Sequence, residues 1–290
     1  MRRACIDIGS NTTRLLVAEC ADGRIEPLHE ARVFTHLGRG QLTGGAIAPA
    51  KLAEVAGVVS AQLQSARRLG CREVRVVATA ALRRAANGEE LAAAVRDECG
   101  LEVRILTGEE EARLAFVGAA RSFAHTPGGE LGVVDVGGGS SELAVGMVPD
   151  QVRWSSSFPL GSGDLADAYL HSDPPSSAEL DAARDRVACA IAPLEVPHPA
   201  EAAAVGGSAA SLTRLAGRVL DRAAFARALA QLMAAPRREV AQRLGLEVER
   251  VRLLPAGLLI LEAVSERFRA PLLVAGGGLR EGVLVEAALA

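Results

Sequence analysis

Cys5-Ile6-Asp7-Ile8-Gly9-Ser10-Asn11-Thr12 and Val133-Val134-Asp135-Val136-Gly137-Gly138-Gly139-Ser140 are two versions of one unit, and they decide the fold. Each is a short apolar run ending in Asp-x-Gly. A second β-prone run follows, Arg14 to Cys20 in one copy and Glu142 to Val148 in the other, and then a turn, Ala21-Asp22-Gly23 or Pro149-Asp150. Apolar runs separated by tight turns make each copy an antiparallel meander. Asp7 and Asp135 stand roughly one domain length apart.

The pattern extends outward from both copies. Pro49 opens a helical stretch with Leu52, Val55, Ala56, Val59 and Leu63 on one face, closed by Gly70. A strand from Glu73 to Ala78, a helix over Glu89 to Glu98, a strand from Glu102 to Leu106 and a helix from Gly108 to about Arg121 complete the first half. The second half repeats this with additions. Strands at 131–136, 142–148 and 152–158 precede helices within 161–192, which the Pro174-Pro175 loop divides. A strand from Ala202 to Val205, several helices, a strand from Leu272 to Ala275 and a helix from Leu279 to Ala288 finish the chain. The expected fold is α/β with two lobes, each a mixed five-stranded sheet with helices, and a cleft between them. Thr126-Pro127-Gly128-Gly129 is the natural break, which gives domains 1–125 and 126–290.

Composition sets limits on function. With 290 residues, 49% of them hydrophobic, the chain has ample material for a core, and aromatic residues at 3% argue against a stacking platform for single-stranded nucleic acid. Lys51 is the single lysine among 32 basic residues, a bias read as genomic composition. No basic block exceeds an Arg pair such as Arg83-Arg84, so duplex nucleic acid is not an expected partner. The five cysteines have no C-x-x-C spacing, which speaks against structural zinc and disulfides and for a reducing, cytoplasmic compartment. No stretch reaches membrane-spanning length, so no membrane is expected.

The chemistry gathers in the loops. Gly137-Gly138-Gly139-Ser140-Ser141 is too rich in glycine to be there for stability. Backbone N–H groups flanked by hydroxyls can cradle a phosphate where side chains are absent. Ser10, Asn11 and Thr12 form the matching loop of the first copy, and two such loops across a cleft would grip a phosphate chain from both sides. Asp7 and Asp135 lie just before the loops, where carboxylates can hold hydrated Mg²⁺ against phosphate oxygens. Gly206-Gly207-Ser208 joins a strand to a helix, a place for an anion as well as for close packing. Thr107 and Glu110 have capping-box spacing, so an acid in Gly108-Glu109-Glu110-Glu111 has a structural reading as well as a catalytic one. Arg83, after the strand ending near Thr79, can clamp phosphate or simply face solvent. The histidines share no spacing with an acid or Cys, and Trp154 reads as core.

Taken together, these motifs resemble the exopolyphosphatase and guanosine pentaphosphate phosphohydrolase (Ppx/GppA) family of the actin-like ATPase superfamily. The resemblance rests on Asp7 to Thr12, Ala81-Leu82-Arg83 with Asn87, Gly108 to Arg113, Asp135 to Leu143, Gly206-Gly207-Ser208 and Gly278-Leu279-Arg280-Glu281-Gly282, in that order. It implies Glu111 as general base, Arg83 on the phosphate chain, and Asp135 and Glu142 as Mg²⁺-associated carboxylates, with Mn²⁺ and a monovalent cation also allowed. It implies hydrolysis of a terminal phosphoanhydride of inorganic polyphosphate or guanosine pentaphosphate, and it allows a homodimer. Asp164 stands where many members carry an Arg. The chain lacks the C-terminal helical domain of longer exopolyphosphatases, which suggests short chains as substrate. A kinase of the same superfamily and a non-catalytic sensor of guanosine tetra- or pentaphosphate are the competing readings.

Overall fold

The computed structural model describes residues 1–21, 24–38, 45–123 and 125–289, so Asp22 and Gly23 of the expected first turn lie outside it. The first meander forms β1 (Arg2–Ile8), β2 (Thr12–Ala21) and β3 (Arg24–Phe34), paired antiparallel. Helix α1 (Pro49–Arg68) starts on its proline, buries Leu52, Val55, Ala56, Val59 and Leu63, and stops two residues before Gly70. Strand β4 (Glu73–Ala78) joins β1 in parallel, followed by a short helix α2 (Ala80–Arg84), α3 (Gly88–Cys99) and β5 (Val103–Ile105), parallel to β4. Helix α4 (Gly108–Ala120) ends this half.

The second half repeats the plan. Its meander is β6 (Leu131–Val136), β7 (Ser141–Met147) and β8 (Gln151–Phe158), followed by α5 (Ser162–Tyr169) and α6 (Ser177–Ile191). Then come β9 (Glu201–Val205), α7 (Gly206–Ala216), β10 (Val219–Leu220), α8 (Arg222–Met233), α9 (Arg237–Leu244), α10 (Val248–Phe268), β11 (Leu272–Val274) and α11 (Leu279–Leu289). The strand orders are β3-β2-β1-β4-β5 and β10-β11-β9-β6-β7-β8, so the same three-strand antiparallel meander leads into parallel strands in each lobe. The second sheet has six strands rather than the expected five. Its extra strand, β10, pairs through only Val219 and Leu220, too short to leave an alternating pattern in the sequence.

Two helices lie between the sheets and exchange sides. Helix α4 sets Ala112, Ala115, Phe116 and Ala119 on Leu131, Val133, Ala144 and Ala203 of the second sheet. Helix α11, at the far end of the chain, sets Val283 and Leu284 on Cys5, Leu16 and Ala18 of the first. The strands therefore separate between residues 105 and 131, while the helices tie the lobes together; we propose 1–125 and 126–290 as the lobes' sequence limits with that exchange in mind. Among the described residues no helix is long and apolar enough to cross a membrane.

The two helices cross on backbone. A methyl group added at Gly118 would run into the carbonyl oxygen of Gly278, and one at Gly282 into that of Leu114. Backbone cannot yield as a flexible side chain does, so Gly118→Ala should cost about 1–3 kcal/mol through overpacking. Gly57→Ala, on the open face of α1 with nothing near the new methyl, should instead gain about 0.5–1 kcal/mol. Thermal unfolding of the two variants beside the wild type checks both signs.

Candidate active site

The loops after β1 and β6 close with the same hydrogen bond: Gly9 N–H donates to Thr12 O and Gly137 N–H to Ser140 O, each at 3.0 Å. The repeat read in the sequence is thus a repeat of geometry. The loops also touch, since a Cβ on Gly138 would lie 2.6 Å from the Asn11 amide nitrogen. Asn11 fills the space that Gly138 leaves free. Between the lobes lies a cleft of about 230 Å³, bordered by Ser10, Asn11 and Thr12 on one side and Gly137 to Ser140 on the other. Gly207, at the N-terminal end of α7, forms a further edge, where helix amides favour an anion. The Ser10 hydroxyl is buried with no hydrogen-bond partner.

Three expected contacts sit elsewhere. Ser141 is fully buried and donates to Leu160 O at 2.7 Å. It opens β7, where successive residues face opposite ways, so Glu142 reaches the cleft and Ser141 does not, while Ser140 lines the cleft from the loop before the strand. Ser208 is also buried, its hydroxyl beneath Gly257 of α10 rather than on the cleft lining. Arg83 stands behind the wall: it pairs directly with Glu111 and donates to Leu106 O at 2.6 Å.

The acidic floor follows from strand register and helix capping. Asp7 lies opposite Arg14 across β1 and β2, and Asp135 opposite Glu142 across β6 and β7. The capping box at the start of α4 is complete: Thr107 N–H donates to Glu110 at 2.8 Å and Glu110 N–H to the Thr107 hydroxyl at 3.1 Å. Glu110 is committed to the helix end. One residue on, about 100° around the helix, Glu111 turns inward and is buried. Ser157 donates to Glu142 at 2.9 Å.

Burial raises all four carboxylates. Asp7 is raised, Asp135 is pushed up to about 6 and Glu142 to about 7. Glu111 is pushed up to about 9, by burial first and then by Glu142, with Arg83 pulling the other way but not far enough. Facing these carboxylates are arginines that the sequence reading gave no role. Arg14 follows from the meander register. Arg280 is buried, donating to Leu15 O at 3.1 Å and to Glu30 at 2.8 Å. Arg250, from the first turn of α10, is buried on the cleft lining with Nε unpartnered. Burial lowers it to about 10, with Arg32 and Arg14 adding to the effect. Nothing near Arg250 in the sequence marks it.

The donor set fits a hard divalent cation. Asp7, Asp135 and Glu142 line the cleft, all with oxygen ligands, and Asp7 Oδ1 is buried without a hydrogen-bond partner. Among the described residues no three acidic, His or Cys side chains converge as a ready cage. That suits Mg²⁺, which commonly takes one or two carboxylates and completes its shell with water and substrate phosphates.

A group whose folded-state pKa is raised binds its proton more tightly when folded, so its contribution to stability holds at low pH and is lost as pH rises through the folded value. Asp135, Glu142 and Glu111 place that loss between about pH 4 and 9. Metal-free protein should therefore lose melting temperature across this window, and Asp135→Asn should remove roughly 3 kcal/mol of the loss at most. Mg²⁺ should restore more stability at pH 8 than at pH 5, as a melting series in both conditions will read.

The model of the Ppx/GppA phosphatase family matches residues 16–290, nearly the whole chain. The chain belongs to the Ppx/GppA family. Within it, exopolyphosphatase 1 of Mycobacterium tuberculosis is 30% identical over 303 aligned positions, covering 98% of this chain and 88% of that one. The guanosine-5'-triphosphate,3'-diphosphate pyrophosphatase of Photobacterium profundum is 28% identical, over 98% of this chain and 58% of its own length. The crystal structure of the Aquifex aeolicus Ppx/GppA member superposes with a TM-score of 0.82 at 30% identity, covering 100% of this chain and 98% of that one. This Ppx/GppA chain therefore has the two-lobed architecture expected from its repeat.

Proposed function

We propose that this chain hydrolyses the terminal phosphoanhydride of inorganic polyphosphate or of guanosine pentaphosphate. The observation that carries the reading is the pair of identically closed loops meeting across the cleft, with Glu111 on the wall between them. The named relatives, an exopolyphosphatase and a guanosine pentaphosphate pyrophosphatase, support a hydrolase of acid anhydrides.

The terminal phosphate would sit between the loop amides of Gly137 to Ser140 and the polar groups of Ser10, Asn11 and Thr12, with Gly207 at the third edge. Arg14, Arg250 and Arg280 line the same cleft and offset the charge of the remaining chain. Water attacks the terminal phosphorus, the bond to the bridging oxygen breaks, and the proton of the water passes to the Glu111 carboxylate. Arg83 orients that carboxylate and favours its ionised form. Mg²⁺ held by Asp135 and Glu142, with Asp7 beside them, would supply charge neutralisation on the phosphate oxygens and bring the raised carboxylates back into their ionised forms. Most of the acceleration in such a reaction is positioning and electrostatics.

A cleft of about 230 Å³ takes the reacting end of a chain, and a preference for short polyphosphate is part of the proposal. Phosphate release from short polyphosphate, long polyphosphate, guanosine pentaphosphate and ATP, at matched anhydride concentration and with or without Mg²⁺, tests the reading. Faster release from short chains or guanosine pentaphosphate is expected, and only with Mg²⁺. Faster release from the long polymer would remove the short-chain preference, and binding without release would favour a sensor.

A further inference from the structure

Arg84 ends α2 in the first lobe, and Asp164 lies in the first turn of α5 in the second. Their side chains meet between the lobes, Arg84 Nη1 to Asp164 Oδ2 at 3.0 Å, with Asp164 only 7% exposed. The backbone around Asp164 grips the phosphate loop. Asp164 N–H and Gly163 N–H both donate to Gly138 O, at 3.1 and 2.9 Å, and Ser162 N–H donates to Gly137 O at 2.9 Å. The Arg84 guanidinium lies against the same loop, where any side chain on Gly139 would collide with it. Its Nε and Nη2 are buried without partners, so the Asp164 carboxylate is the group that compensates this charge.

We propose that Arg84 and Asp164 form an interlobe clamp that fixes the Gly137–Gly139 loop against the first lobe. Asp164 does not contact substrate in this arrangement. It is a positioning residue, and the cation beside the loop comes from the opposite lobe. Opening the clamp frees the loop to move with the second lobe, so the two halves of the phosphate cradle lose their register. What the loop is positioned for rests on the proposed hydrolase reading; the contact between lobes does not.

Two readouts separate those layers. The first is steady-state phosphate release from tripolyphosphate by Asp164→Asn, Arg84→Gln, the double variant carrying both, and the charge exchange Arg84→Asp with Asp164→Arg. Asn and Gln keep the shapes of the side chains. Each single variant should raise KM about tenfold while kcat changes by less than about threefold, and the double variant should do no worse than either single one. The exchange should recover most of the lost affinity. Multiplying effects in the double variant, or an exchange no better than its single components, would overturn the clamp.

The second readout needs no substrate. Cys189 is the exposed cysteine of α6 and the other four are buried, so spin labels at Cys189 and at Ala61→Cys, on the exposed face of α1, report the distance between lobes. The wild-type distribution should be narrow and the Asp164→Asn distribution broader and longer. Identical distributions would sink the clamp. A wild-type protein that releases no phosphate yet widens on Asp164→Asn would retain the clamp and fail the hydrolase reading.

Discussion

Glu111→Gln should bind tripolyphosphate within about threefold of the wild type and turn it over roughly 10²–10⁴-fold more slowly, the range a positioned general base contributes. The substitution keeps the shape of the side chain and an oxygen for Arg83, so what it removes is basicity. Glu111→Ala would also abolish release, but it takes the carboxylate partner from Arg83 and mixes two effects. The pH profile separates them. Only the ionised carboxylate accepts a proton, and burial and Glu142 hold Glu111 high, with Arg83 opposing. The wild-type rate should therefore fall as pH falls through the Glu111 transition, and higher Mg²⁺ should move that acid limb to lower pH. The Gln variant should lack the limb. An unchanged profile in the variant would assign the limb, and the base, to another group.

Gly161→Ala should lower kcat/KM for the same substrate by about 100-fold or more, comparable to displacing an oxyanion donor. Gly161 precedes α5 and packs directly on the backbone of the Gly137–Gly139 loop. An added methyl group would collide with the Gly138 carbonyl and lie 2.5 Å from Gly139 N. The loop must shift to admit it, and its amides then miss the phosphate oxygens. A misplacement on the order of 1 Å is enough for a loss of that size. Circular dichroism should remain that of the wild type, because the strands flanking the loop pair independently of it. Activity near wild type would mean that the loop amides do not hold the reacting phosphate.

The repeat was legible because its two parts obey local rules. An apolar run followed by Asp-x-Gly and a hydroxyl-rich turn favours a hairpin, and the matched Gly9 and Gly137 hydrogen bonds are that preference met twice. The Thr107 capping box was legible for the same reason, whereas Glu111 was singled out by the family resemblance and its inward turn is set by the fold. Partners set by tertiary packing were not. The periodicity of α4 and α11 reveals an apolar face but not which sheet receives it, so the exchange of helices between lobes leaves no trace in the pattern. Arg250 enters the cleft from a helix far from every motif. Asp164 is the loss of a cation only against the family resemblance, and only the fold brings Arg84 to it from the other lobe. Ser141 is the opposite case: its neighbour in a strand faces the cleft, and the period-two alternation that turns it away could have been applied to the sequence itself.

Hydrolysis at the terminal phosphorus is the claim on which the rest depends, and heavy-oxygen water tests it most directly. Tripolyphosphate or guanosine pentaphosphate is turned over with Mg²⁺ in the labelled solvent, and the products are analysed by mass spectrometry. Water attacking the phosphate held between the two loops should leave one solvent oxygen in each released orthophosphate and none in the shortened product. Label in the shortened product, or no release until a phosphoryl acceptor is added, would contradict it.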